Sequence, residues 1–99
     1  MKIDMNRDGN RLEVALEGRL DTMTAPEFEE ALEPLLNGLE ELLIDLGKLV
    51  YISRAGLRAL LAAEQTMEQQ GSMKVINVQP EVMEIFEVTG FTDILDIES

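Results

Sequence analysis

In Tyr51-Ile-Ser-Arg-Ala-Gly-Leu57 a hydroxyl, a cation and two small residues follow an apolar stretch and open a run with helical spacing. That pattern describes a helix N-terminus, whose free backbone amides suit an anion or the acceptor groups of a partner. The Ser53 hydroxyl can cap the helix by accepting from a first-turn amide, for about 1 kcal/mol, or it can take a phosphate. Arg54 is the odd member, because a cation in the first turn opposes the helix dipole by roughly 0.3–1 kcal/mol. It either reaches back to an acidic side chain such as Asp21 or serves a binding surface.

Other candidate chemistry is weaker. Asp4-Met-Asn-Arg-Asp-Gly9 copies the first half of a calcium loop, but the position that needs a bidentate glutamate is Ala15 and both flanks read as strands. The pairs Asp93/Asp96 and Glu40/Glu41 show no site-selecting spacing and read as a solvated acidic surface. A catalytic trio of Asp21, Asp45 and Ser53 would need a deep pocket to bring it together. There is no Walker-type glycine loop. Of the six methionines, which read mostly as core filler, Met23 stands in an exposed-looking loop and is a candidate partner contact.

Composition narrows the function further. The 99 residues carry 20 acidic and 8 basic side chains, a net charge of −12, which repels nucleic acid and anionic lipid. With neither cysteine nor histidine, disulfides, thiolate metal sites and the commonest acid–base catalyst are removed, and no cofactor is expected. No apolar run reaches the ~20 residues of a membrane span, and the N-terminus lacks a signal-peptide core. The expectation is one cytoplasmic domain that does not insert into membranes.

The elements that must position the Ser53 corner follow from periodicity. Lys2 to Arg7 reads as an edge strand, joined by a turn at Asp8-Gly9-Asn10 to an antiparallel strand, Asn10 to Gly18, whose Leu12, Val14 and Leu16 alternate with Glu13, Ala15 and Glu17. Thr24, Pro26 and Glu27 resemble a capping box, opening a helix with Ala25, Phe28, Leu32, Leu35 and Leu36 on one stripe. Leu42 to Leu46 reads as a central strand covered on both faces. A helix from Arg54 to Gln70 follows, closed by Gly71, with Leu57, Leu60, Leu61 and Met67 inward. Then come a strand from Met73 to Val78, a helix from Pro80 to Thr89 with Val82, Ile85 and Phe86 inward and Gly90 at its end, and a last strand from Ile94 to Ile97. The order β-β-α-β-α-β-α-β predicts an α/β domain with a mixed sheet and packed helices.

This order, together with Gly18-Arg-Leu-Asp21, Leu43-Ile-Asp-Leu46, Tyr51-Ile-Ser-Arg-Ala-Gly-Leu57 and Val88-Thr-Gly-Phe91, resembles the STAS domain family over nearly all of residues 1–99. It is more narrowly similar to the bacterial anti-sigma factor antagonists. The resemblance implies partner switching: the unmodified protein binds an anti-sigma factor that is also a serine kinase, freeing a sigma factor. Phosphorylation breaks that complex and a phosphatase restores it. Partner contacts are then expected at Asp21, Thr22 and Met23, and at Ser53, Arg54, Ala55, Gly56 and Arg58. With Gly56 and Leu57 setting the register, Arg54 occupies the family's phosphoacceptor position and cannot take a phosphate, which leaves Ser53 as the candidate acceptor or leaves binding independent of phosphorylation.

The alternative is the STAS subunit of a lipid-transport ABC complex, which has no phosphorylation cycle. Relatives commonly add a helix after the last strand, so a chain ending at Ser99 is expected to leave one sheet face less covered, and a weak homodimer could shield it.

Overall fold

The computed structural model describes residues 1–98; Ser99 lies outside the described residues. Strands β1 (Lys2–Asp8), β2 (Arg11–Leu20), β3 (Glu41–Ile52), β4 (Ser72–Ile76) and β5 (Ile97–Glu98) form one sheet in sequence order. Helices α1 (Ala25–Leu36), α2 (Arg54–Glu68) and α3 (Pro80–Thr89) connect the parallel strands, and a short 3-10 turn spans Phe91–Asp93. The β1–β2 pair is antiparallel and every other pair is parallel. This is the expected mixed α/β order, with β1 at an edge. The β1–β2 hairpin turns through Gly9 and Asn10, with Gly9 at φ +61, the first-position glycine that a two-residue hairpin loop favours.

Alternation decides which face is covered. Leu12 and Val14 of β2 lie opposite Leu42 and Ile44 of β3, which lie opposite Met73 and Val75 of β4, and all are buried in one cluster with Leu16 and with Phe28, Leu32, Leu60, Met67, Val82 and Phe86 of the helices. The expectation that β3 is covered on both faces is therefore wrong, since Leu43 and Asp45 are only half-buried. Across the uncovered face run the ion pairs Arg11–Glu41 at 3.9 Å, Lys48–Glu17 at 3.8 Å and Lys74–Glu98 at 3.3 Å. A polar face of this kind can stay in water and needs no second copy to shield it.

Several local expectations change. Strand β3 runs to Ile52, six residues past Leu46, because two register shifts against β2, between Ala15/Glu17 and Gly18/Arg19, let β3 bulge while staying paired. The bulges also break the alternation that would have revealed the strand. Leu35, Leu61 and Ile85 are half-buried rather than fully inward.

Helix α2 stops at Glu68, two residues short of the expected Gln70, and the Gly71 amide donates to the Met67 carbonyl of its last turn at 2.7 Å. Gly71 lets the chain pass the preceding connection, where an added Cβ would collide with the Glu40 carbonyl oxygen while the Ser72 amide donates to that same oxygen. The last strand is shorter than expected: residues 94–96 precede it, and only Ile97–Glu98 pair with β4. Gly90 ends α3 in the left-handed conformation, as its position predicts.

Candidate functional site

Strands β2 and β3 are parallel neighbours, so the loop after β2 and the start of α2 emerge side by side at the carboxyl edge of the sheet. Leu20 pairs with Ile52, and the Ser53 amide donates to the Leu20 carbonyl at 2.9 Å. Gly56 makes the closeness tolerable: a Cβ there would lie 2.6 Å from the Leu20 oxygen and 2.7 Å from Ile52 Cγ1. The family-like Ser53-Arg54-Ala55-Gly56 corner thus has a packing reason for its glycine before any functional one.

The loop Asp21–Thr24 is closed by its own side chains. The Met23 and Thr24 amides donate to Asp21 Oδ1 at 3.0 and 3.1 Å, and the Ala25 amide donates to the Asp21 carbonyl at 2.8 Å. The Asp21 amide donates to Thr24 Oγ1 at 2.8 Å, while the Thr24 hydroxyl donates to the Arg19 carbonyl at 2.8 Å.

The capping box expected at Thr24 is therefore absent. Thr24 makes no side-chain cap to α1, and Asp21 satisfies the free amides of this turn instead. The Thr24 amide, helped by the Met23 amide, the Thr24 hydroxyl and the nearby Arg19 guanidinium, holds the Asp21 carboxyl below its ordinary value despite some burial.

At the start of α2 the expected cap forms, but loosely. The Gly56 amide donates to Ser53 Oγ at 3.5 Å, the long limit of a useful hydrogen bond. Ser53 is half-buried and Arg54 is exposed. Arg54 does not reach Asp21; the cation that does is Arg19, with Nε 3.7 Å from Asp21 Oδ2. Arg19 also lies over the Tyr51 ring, its guanidinium carbon 4.3 Å from the centroid.

Thr22 and Met23 are exposed, Ala55 is half-buried, Gly56 is buried and Arg58 is exposed. The structure thus brings Asp21, Thr22 and Met23 beside Ser53 and Arg54. Arg58 stands one turn along α2 from Arg54.

Sequence reasoning missed Arg19, Val50 and Tyr51. Met23 is 84% exposed, Val50 60% and Tyr51 37%, whereas the other large apolar side chains of β2 and β3, the half-buried Leu43 apart, are buried. Val50 and Tyr51 fall inside the bulged part of β3, where alternation gives no warning. The aromatic two residues before the candidate acceptor was the available signal.

Asp45 does not join Asp21 and Ser53. It sits on the uncovered face, accepting from the Gly47 amide at 2.8 Å, eight residues of β3 before the corner. The catalytic trio is not assembled.

A family model described as Mlab, STAS domain matches residues 3–96. The chain is similar to BtrV of Bordetella bronchiseptica, a protein that bears the name of an anti-sigma factor antagonist, at 35% identity over 98% of this chain and 85% of that one. It is also similar to the anti-sigma-B factor antagonist of Bacillus subtilis, at 29% identity over 100% of this chain and 92% of the other. Its fold matches the crystal structure of an anti-sigma factor antagonist from Mycobacterium paratuberculosis with a TM-score of 0.87, at 21% identity, over 97% of this chain and 83% of that one. Since the family model spans nearly every described residue and the strand order agrees with it, the chain belongs to the STAS domain family.

Proposed function

We propose that this chain is an anti-sigma factor antagonist. It binds an anti-sigma factor that is a serine kinase, and so frees a sigma factor to direct transcription. It acts as a binding module rather than an enzyme. The observation that carries this reading is the edge where the Asp21–Thr24 loop meets the start of α2: three of the five exposed large apolar side chains among the described residues, Met23, Val50 and Tyr51, belong to it, the other two being Val88 and Ile94. The names and coverage of the curated relatives support the same role.

Control at this edge differs from the family pattern because Arg54 stands at the acceptor position. Ser53 is the remaining hydroxyl at the α2 start, and a phosphate on it would add about −1.5 to −2 charges. At the helix N-terminus that charge is favourable to the fold, while at a packed interface it is adverse to the partner. Phosphorylation would therefore release the partner without unfolding the chain, and a phosphatase would reset it.

The test is to mix the purified chain with the serine-kinase anti-sigma factor of the same genome and its bound sigma factor, with and without ATP. The expected result is a new complex and free sigma factor by gel filtration. Any phosphate is expected at Ser53 by mass spectrometry. Failure to form a complex, or stoichiometric phosphate far from Ser53, contradicts the proposal. Arg54 at the acceptor position also favours a second reading, the STAS subunit of a lipid-transport ABC complex; co-purification with an ATPase and a membrane permease would establish that one instead.

A further inference from the structure

The edge that carries Ser53 has a charge unlike the rest of the molecule. From Leu46 to Ala63 the chain contains Lys48, Arg54 and Arg58 and no acidic residue, within a protein of net charge −12. Helix α1 beside it carries Glu27, Glu29, Glu30 and Glu33 and no cation.

Lys48 is engaged with Glu17. Arg54 and Arg58, four residues apart and so on one face of α2, are both exposed and make no ion pair among the described residues. Arg54 also opposes the dipole of its own helix, so internal stability does not explain it. Met23, Val50 and Tyr51, all exposed, lie within three residues of the Leu20–Ser53 hydrogen bond at this edge.

We propose that this edge docks an acidic segment of the partner protein that carries an apolar anchor. Met23, Val50 and Tyr51 receive the anchor, and Arg54 and Arg58 pair with the flanking carboxylates. Arginine suits the task, because its planar fork donates two parallel hydrogen bonds to a carboxylate and is weakly hydrated. The surrounding acidic surface adds selectivity: an acidic segment is repelled nearly everywhere else on the chain, so the arginine pair sets where and how it lands. The identity of the partner rests on the antagonist reading; the chemistry of the contact rests on the edge itself.

Binding isotherms with the serine-kinase anti-sigma factor of the same genome test this. The variants are the double R54E/R58E, Met23→Ser, and Lys74→Glu on the uncovered sheet face as a control for net charge. The double variant should bind about tenfold or more weakly, Met23→Ser should also bind more weakly, and Lys74→Glu should stay within about twofold. Glutamate at 54 suits the first turn of α2 and residue 58 is exposed, so the double variant should melt within a few degrees of the parent, and melting curves distinguish weaker binding from unfolding. If the parent chain binds and the double variant binds equally well, the docking chemistry is wrong and the antagonist reading stands. If the parent chain binds no anti-sigma factor, both are overturned.

Discussion

Two turns stand side by side at the carboxyl edge of the sheet, and they are held in opposite ways. The Asp21–Thr24 loop is closed by side-chain hydrogen bonds, with Asp21 Oδ1 accepting two amides and Thr24 Oγ1 both accepting and donating. The start of α2 has a single side-chain cap at 3.5 Å and is instead held by backbone contact, with Gly56 pressed against Leu20 and Ile52. The first turn is thus a firm platform that presents Met23. The second keeps its hydroxyl nearly free of structural duty. A residue meant to be modified or to meet a partner can change there with little cost to the fold.

Substitutions can break this contrast. Gly56→Ala should have the largest effect. Alanine favours a helix interior by about 1 kcal/mol over glycine, but its Cβ would collide with backbone at 2.6 Å. Overpacking of this kind costs typically 1–3 kcal/mol and occasionally more. We expect a net loss of stability in urea unfolding; a gain would mean that the α2 start is not held by close backbone contact.

Asp21→Ala should destabilise less, by freeing the Met23 and Thr24 amides. Because the folded Asp21 pKa is lowered, its contribution is complete above the ordinary carboxylate value and is lost as pH falls through the lowered one. Melting curves of parent and variant should therefore differ near neutral pH and converge in acid. A gap that persists in strong acid would show that charge is irrelevant to the loop.

Ser53→Ala should cost about 0.5 kcal/mol, the low end for a cap, because its bond is long. A loss approaching 2 kcal/mol would make Ser53 a structural residue and reverse the comparison.

The smallest effect is expected at the far end of α2. Burial, with Glu68 and Asp96 nearby, raises the Glu64 pKa, and Glu64 Oε2 is buried without a hydrogen-bond partner among the described residues. A raised carboxyl pKa has the sign opposite to Asp21: stability declines as pH rises from the unfolded value through the raised folded one. Glu64→Gln should therefore stabilise slightly at neutral pH and lose that advantage in acid. Destabilisation at neutral pH would contradict the assignment.

The elements were legible in the sequence where periodicity was clean. The alternation of Leu12, Val14 and Leu16 and the Pro80 to Thr89 helix with Gly90 at its end appear as read, as does the stripe of α1 apart from the half-buried Leu35. Reading failed where a local pattern had a tertiary competitor. Thr24 and Glu27 match a capping box, but the Arg19 carbonyl takes the Thr24 hydroxyl and Asp21 does the capping. The end of β3 was invisible because its bulges destroy alternation, and with it went Val50, Tyr51 and the stacking of Arg19 on Tyr51. Half the candidate site could be placed from the motif around Ser53; the other half depends on a strand register that no local spacing encodes.

On the proposed function, the edge formed by the Asp21–Thr24 loop and the start of α2 meets the partner. Hydrogen–deuterium exchange on the complex with the serine-kinase anti-sigma factor tests it most directly. Slowed exchange is expected in residues 20–24 and 50–58, with residues 11–17 and 72–76, whose strands carry ion pairs on the uncovered face, unchanged. Protection confined to that sheet face, with the Ser53 edge exchanging as in the free chain, would contradict it.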